Sequence, residues 1–337
     1  MLYRKIRSYI DAHLRSNEDK ILLIEGARQI GKSYIIRDVG TELYDNYVEI
    51  NFVEDDAGDK IFRNVRTTEE FYLNLSMVAG FKLDKYENTL VFIDEIQHYP
   101  QFLTMLKFLR QEHRYRFICS GSLLGIALKK TVSVPVGSII PKKMYQLDFE
   151  EFLIANDFGE DAIKHLRKSF EQKQSLAPEV HDKVLSLFKR YLLVGGMPDA
   201  VNEYLNSHNI VKVREVQEAI RELYGVDASR YEEDAAKKLY IRRIYDMIPS
   251  QMENKKKRIV AKDILDRKGD RFSNYMEEFE YLINSGITIA SNAISNPKYP
   301  LAESQQKNLL KLYMNDVGML SSQLYHYNIQ PILNDIA

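Results

Sequence analysis

Over the first 150 residues, short apolar runs alternate with stretches whose apolar positions recur every three or four residues. ILLIE (21–25), YVEINFV (47–53), TLVFID (89–94) and RFICS (116–120) are continuous enough to be strands apolar on both faces. The segments between them, 32–44, 59–79 and 100–112, carry helical spacing, and Pro100 suits a first helical turn. KKMYQLD (142–148) is the candidate for a fifth strand, and residues 1–20 predict an amphipathic helix with Leu2, Ile6, Ile10 and Leu14 on one face. Strands alternating with helices predict an α/β fold built on a parallel sheet covered on both sides.

From about Phe149 the pattern turns helical through FEEFLIANDF, VHDKVLSLFKRYLLVGG, PDAVNEYLNS and the long 211–248 stretch. A basic segment (254–271), a helix (273–284) and two strand-like pieces, GITIASNAI and NLLKLYMNDV, follow, the last two separated by a proline-containing loop. That order resembles a winged helix. At roughly 150 residues per domain, 337 residues predict two or three domains.

Composition narrows the function classes. Lys plus Arg (47) nearly cancels Asp plus Glu (48), so binding to nucleic acid would need a local patch. One cysteine makes no internal disulfide, which favours a reducing compartment. The N-terminus lacks the apolar stretch of a signal peptide, and no run approaches the roughly 20 residues of a bilayer span. A cytoplasmic protein with no membrane association is expected.

Gly26-Ala27-Arg28-Gln29-Ile30-Gly31-Lys32-Ser33 matches the Walker A pattern in full, directly after one predicted strand and directly before a predicted helix. The glycines let the backbone close around an anion, and successive amides with the helix N-terminus supply partial positive charge. In such a loop Lys32 reaches the β- and γ-phosphates, the Ser33 hydroxyl ligates Mg²⁺, and Tyr34 offers its amide to the α-phosphate. Thr89-Leu-Val-Phe-Ile-Asp94-Glu95 ends a buried strand in two carboxylates, which are costly there unless a cation meets them. Asp94 is placed to hold Mg²⁺, and Glu95 to act as base toward the attacking water. Ser120 or Ser122, closing the next strand, reads as a sensor beside that water, with an ordinary helix cap before LLGIALKK as the alternative. Cys119 reads as core packing, and His98 as a loop residue. The prediction is an ATPase using ATP and Mg²⁺.

GARQIGKS, FIDEIQHYP, SGSLLG, YQLDFEEFL, VGGMPDAV, IPSQMENKKKRIV, FEYLINSGI and KLYMNDVGML, in this order, resemble a prokaryotic group of AAA+-type ATPases with a C-terminal domain of uncharacterised function. The resemblance covers nearly the whole chain. It implies an ASCE-type P-loop sheet, in which a strand lies between those bearing the two Walker motifs. On that basis residues 1–148 are the ATPase core (1–20 its N-terminal helix), 149–232 a helical lid and 233–337 a winged-helix-like domain. Two departures stand out. Similar proteins often carry an arginine leading into the LDFEEF-like stretch, whereas this chain has Lys142 and Lys143, leaving Arg28 and Arg116 as positional candidates for a γ-phosphate partner. Relatives generally continue into a nuclease-like module, so this sequence is expected to be a short member or a truncated form.

Gly195-Gly196-Met197-Pro198 falls in the implied lid, where a helix N-terminus would approach the nucleotide, but a tight turn between helices is the simpler reading. Residues 254–271 hold eight basic side chains against three acids, whereas the helix meant to enter a DNA groove carries Glu277, Glu278 and Glu280. Protein contact, or self-association, is therefore expected over nucleic-acid binding. Slow turnover is expected unless a partner supplies the arginine. A nucleotide-gated scaffold and a DNA-dependent ATPase are the rival readings.

Overall fold

The computed structural model describes residues 2–51, 60–80, 83, 88–122, 137–231, 234–253, 262–265 and 271–334. The basic run Lys255–Arg258, the LLGIALKK segment after Ser122 and positions 52–53 lie outside these residues. Two compact units form, one over Arg4–Tyr145 and one over Gln146–Ala337 together with Met1–Tyr3.

In the first unit α1 (Lys5–Arg15), β1 (Ile21–Glu25), α2 (Lys32–Leu43), β2 (Asn46–Asn51), α3 (Thr68–Ala79), β3 (Thr89–Asp94), α4 (Pro100–Glu112), β4 (Arg116–Gly121) and β5 (Ile139–Lys143) follow one another. The strands pair only in parallel, in the order β2-β3-β4-β1-β5. β4 therefore lies between the strand that leads into the Gly26–Ser33 loop and the strand that ends at Asp94, the arrangement implied by the resemblance. Continuous apolar runs were the right signal because both faces are covered. Ile21, Leu23, Val91 and Ile93 join a cluster with Phe62, Phe71, Phe102 and Phe117, while their alternates Leu22, Ile24, Leu90 and Phe92 are equally buried.

Two sequence expectations shift. The N-terminal helix ends at Arg15 rather than 20, because the chain turns at Ser16, whose amide and hydroxyl both bond His13 O. The fifth strand is Ile139–Lys143, not 142–148. Pro141 is tolerated there because β5 is an edge strand, and Asp148 is instead drawn into a capping box with Glu151 that starts the next helix. The 211–248 stretch, read as helical, forms two helices.

The second unit comprises α5 (Phe149–Ala155), α6 (Glu160–Glu171), α7 (Pro178–Val194), α8 (Pro198–Ser207), α9 (Ile210–Tyr231), α10 (Ala235–Glu253), α11 (Lys262–Leu265), α12 (Met276–Asn284), the antiparallel pair β6 (Thr288–Ile294) and β7 (Gln305–Met314), α13 (Val317–Tyr325) and α14 (Gln330–Leu333). The helix–strand–loop–strand order read at 273–314 is thus present. No described helix is long and apolar enough to cross a membrane. The Gly195-Gly196 turn is a packing junction within this unit. A Cβ on Gly196 would lie 2.0 Å from Leu147 O, and one on Gly195, whose φ is 75°, would lie 2.1 Å from Asp316 Oδ1. The buried Asp316 carboxylate accepts from Gly196 N (2.6 Å) and Met319 N (2.9 Å), tying the turn to the start of α13.

Candidate nucleotide site

Parallel strands put every C-terminal end at one edge, and the register there decides what meets. Asn51 pairs beside Asp94, Ile93 beside Cys119, and Glu25 beside Gly121 and Lys143. The chain leaves β1 at Gly26 with no room for a side chain, since a Cβ would sit 2.4 Å from Met144 O. Gln29 (φ 63°) and Gly31 (φ 87°) adopt left-handed backbone, which curls Gly26–Ser33 into a concave row of amides leading into α2. Gly31 caps α2 without a side-chain hydrogen bond, so the first-turn amides keep their capacity for an anion. The Lys32 ammonium is buried inside this loop and donates to Ala27 O (2.7 Å) and Gly26 O (3.1 Å). Tyr34 is 57% exposed, so what it offers the loop is its backbone.

Sixty-one positions separate Ser33 from Asp94, yet the Ser33 hydroxyl donates to Asp94 Oδ2 at 2.6 Å. Asp94 is 2% exposed and is further held by Ser120 Oγ, by its neighbour's amide (Glu95 N, 3.0 Å) and by Asn51 Nδ2 at 3.4 Å. Burial pushes its carboxyl above the ordinary range. The Ser120 and Ser33 hydrogen bonds and the Lys32 charge only partly offset that, and the Glu95 charge adds to it. This donor set fits Mg²⁺, which keeps several waters and takes one or two protein oxygens plus phosphate.

Glu95 differs in kind. Its backbone is left-handed (φ 51°), and its side chain takes partners different from those of Asp94. Its Oε2 accepts from Gln97 Nε2 and from Ser122 Oγ (3.3 Å), and Arg28 Nη2 lies 3.8 Å away. Burial pushes this carboxyl up, but the Lys32 and Arg28 charges, the Gln97 bond and His98 outweigh it, and its pKa lies below the ordinary range. Two adjacent carboxylates are thus driven in opposite directions, a pattern associated with divided roles.

The residues singled out from the sequence, Gly26–Tyr34, Asp94, Glu95, Ser120 and Ser122, therefore gather at one edge. Arg116 does not join them. It opens β4 at the opposite edge and caps the end of α1 through His13 O, Ser16 O and Glu18 O, so its candidacy as a γ-phosphate partner within this chain falls. Arg28 is within the site, paired with Glu95. Cys119 is fully buried and burial raises its thiol, in keeping with packing, and His98 is an exposed turn residue. Sequence reasoning missed Asn51, Gln97 and Arg4. Asn51 and Gln97 carried a weak signal, a polar residue closing an apolar strand and one two positions past the carboxylates. Arg4 carried none.

Comparison with known proteins matches two separate segments of the chain. Residues 18–153 match the model of an AAA domain, and residues 185–327 match a domain of unknown function (DUF8612). No curated protein matches the chain. Among solved structures, the Walker-type ATPase PABY2304 of Pyrococcus abyssi is similar over 96% of both chains, with a TM-score of 0.56 and 15% identity, a likeness of fold. The Thermotoga maritima RuvB Holliday junction branch migration motor (12% identity, TM-score 0.39, covering 86% of this chain and 90% of that one) is a more distant neighbour. So is the Aeropyrum pernix ORC1 protein in complex with DNA (11%, TM-score 0.38, covering 100% and 95%).

Proposed function

We propose that this chain, an AAA domain joined to a C-terminal domain of unknown function, is a Mg²⁺-dependent ATPase of P-loop type whose site is the edge formed by Gly26–Tyr34, Asp94, Glu95, Ser120 and Ser122. The observation that carries the proposal is the 2.6 Å contact between Ser33 and Asp94, which unites the two residues a Walker-type metal needs. Mg²⁺, held there by Ser33 and Asp94, supplies charge neutralisation to the triphosphate.

Lys32 exchanges its loop carbonyls for β- and γ-phosphate oxygens, and the amides of Gly31 to Tyr34 grip the rest. Glu95 is the base. Its carboxyl is below the ordinary range and so ionised at neutral pH, ready to accept the proton of the water that attacks the γ-phosphorus as the β–γ bridging bond breaks. Ser122, bonded to the same oxygen, and Ser120, bonded to Asp94, position the two acids. Turnover then moves residues 149–337, read as lid and winged helix from the resemblance. A partner or second copy of the chain supplies the missing arginine.

One observation favours the rival reading, a nucleotide-gated scaffold with little turnover: Glu95 is engaged by Gln97, Ser122 and Arg28. A pair of variants separates them. Glu95→Gln should bind ATP like the unaltered protein and release no phosphate above background, while Lys32→Ala should lose tight binding. Hydrolysis by Glu95→Gln at the unaltered rate removes Glu95 as base, and absence of phosphate release from the unaltered protein under all conditions leaves the scaffold reading.

A further inference from the structure

We propose that Arg4 is a positioning residue for the phosphate-binding loop, acting on its amides from behind. It stands just before α1 in extended backbone (φ −136°, ψ 122°), outside every motif, and its side chain is 6% exposed. Its Nη1 donates to Ile30 O at 2.8 Å and its Nη2 to Tyr145 O at 2.5 Å. One rigid, planar cation thus joins the middle of the loop to the chain just past β5.

The consequence follows from the peptide plane. In a trans peptide the carbonyl of Ile30 and the amide of Gly31 point in opposite directions. The Tyr145 side of the loop is its rear, since Met144 O fills the space where a Gly26 side chain would stand. Holding Ile30 O toward that rear turns the Gly31 N–H the other way, toward the concave face. Gly31 has its left-handed φ of 87° and no side chain to resist rotation. Ile30, 0% exposed, anchors the residue while Arg4 sets the direction of its carbonyl. A guanidinium suits the task because its donors are fixed in a fork, whereas an ammonium directs a single point charge.

Arg4 should therefore govern affinity for the phosphates and leave the nucleoside untouched. The inference rests on the nucleotide-site reading, and the controls keep the two apart. Binding of ATP, ADP and adenosine is measured by calorimetry for the unaltered protein, Lys32→Ala, Arg4→Ala and Arg4→Lys, with folding checked by circular dichroism and thermal melting. If the unaltered protein binds no nucleotide, the site reading itself fails. If it binds ATP and Lys32→Ala does not, the site stands and Arg4 is on trial. A misdirected charge-assisted donor predicts about ten- to a hundredfold weaker ATP and ADP binding in Arg4→Ala. Arg4→Lys, which keeps one carbonyl contact, should fall between, and adenosine affinity should be the same in all. A folded Arg4→Ala with unaltered ATP affinity overturns the inference. So does a loss of equal size for ATP and adenosine, which marks general damage. Should Arg4→Ala fail to fold, the same two outcomes are read on Arg4→Lys.

Discussion

Replacing Gly26 by alanine tests whether the loop's tight seat on the sheet is what gives it its shape. The new methyl would lie 2.6 Å from Ile30 Cδ1, the free end of a side chain, and 2.4 Å from Met144 O, a backbone atom. Ordinary carbon–oxygen contacts are about 3.3 Å, so one partner must retreat by about 1 Å. Ile30 can rotate. Met144 cannot retreat alone, because its amide bonds Glu25 O at 2.7 Å and the next carbonyl is held by Arg4. Overpacking costs about 1–3 kcal/mol and a weakened strand-end hydrogen bond about 1 more, roughly 2–4 kcal/mol in all. The strain can be relieved by moving either the strand end or the loop, so stability and phosphate affinity should both suffer. Urea unfolding followed by circular dichroism reads the first, and ATP titration, expected to weaken at least about tenfold, reads the second. Gly159→Ala is the steric control, since a Cβ there meets nothing within 4 Å, and, as Gly159 caps a helix, it should cost no more than about 1 kcal/mol and leave ATP affinity unaltered. A folded Gly26→Ala with the unaltered urea midpoint and unaltered ATP affinity would refute the argument.

Other outcomes follow from single groups. Asp94, raised chiefly by burial, binds its proton more tightly folded than unfolded, so its contribution to stability declines as pH rises from about 3.9 through its folded value. Without nucleotide, Asp94→Asn should therefore be at least as stable as the unaltered protein at pH 7 in a melting experiment, with the difference shrinking toward pH 4. A variant whose deficit grows with pH would contradict this. Asp316→Ala strips the Gly196 and Met319 amides of their buried acceptor and removes the cap of α13, at a cost of about 2–4 kcal/mol to the unit Gln146–Ala337 by denaturant titration. A loss under about 0.5 kcal/mol would mean the junction holds without it. Arg28→Ala withdraws one of the charges holding Glu95 low, so the acidic limb of the ATPase pH profile should move toward higher pH, and an unmoved limb would separate Arg28 from the base.

What the sequence made legible here was whatever is encoded locally. β1, β3 and β4 read cleanly because a strand buried on both faces is an unbroken apolar run, and Gly26–Ser33 reads because its chemistry needs adjacent residues. β5 was displaced because a capping box at Asp148 and a proline at 141 carry signals that no strand pattern weighs. Within the helical period of 211–248 a new helix starts after Asp234, whose carboxylate accepts from Ala236 N, a side-chain bond that periodicity does not display. Asn51, Gln97 and Arg4 are positional. Asn51 reaches Asp94 across 43 residues and Arg4 reaches Tyr145 across 141, spans that no short window contains, while Gln97 ties its near neighbour Glu95 to Ser122, 25 residues on. Arg116 failed for the same reason in reverse, since its place at the start rather than the end of a strand decides which edge it serves.

The insertion of β4 between β1 and β3 also dictates an order of events during biosynthesis. Leu22 must wait for Ile118, ninety-six residues later (118 − 22), whereas Val48 finds Val91 after forty-three (91 − 48). Closing the longer loop costs more chain entropy and is the slower step. A growing polypeptide thus exports the phosphate loop long before it has the strand that joins it to its carboxylates, and ILLIE stays an exposed sticky segment throughout. Helper proteins that shield apolar chain would have most to do in that interval, and nucleotide stabilises the protein only once synthesis has passed Tyr145, where the seat of the loop is complete.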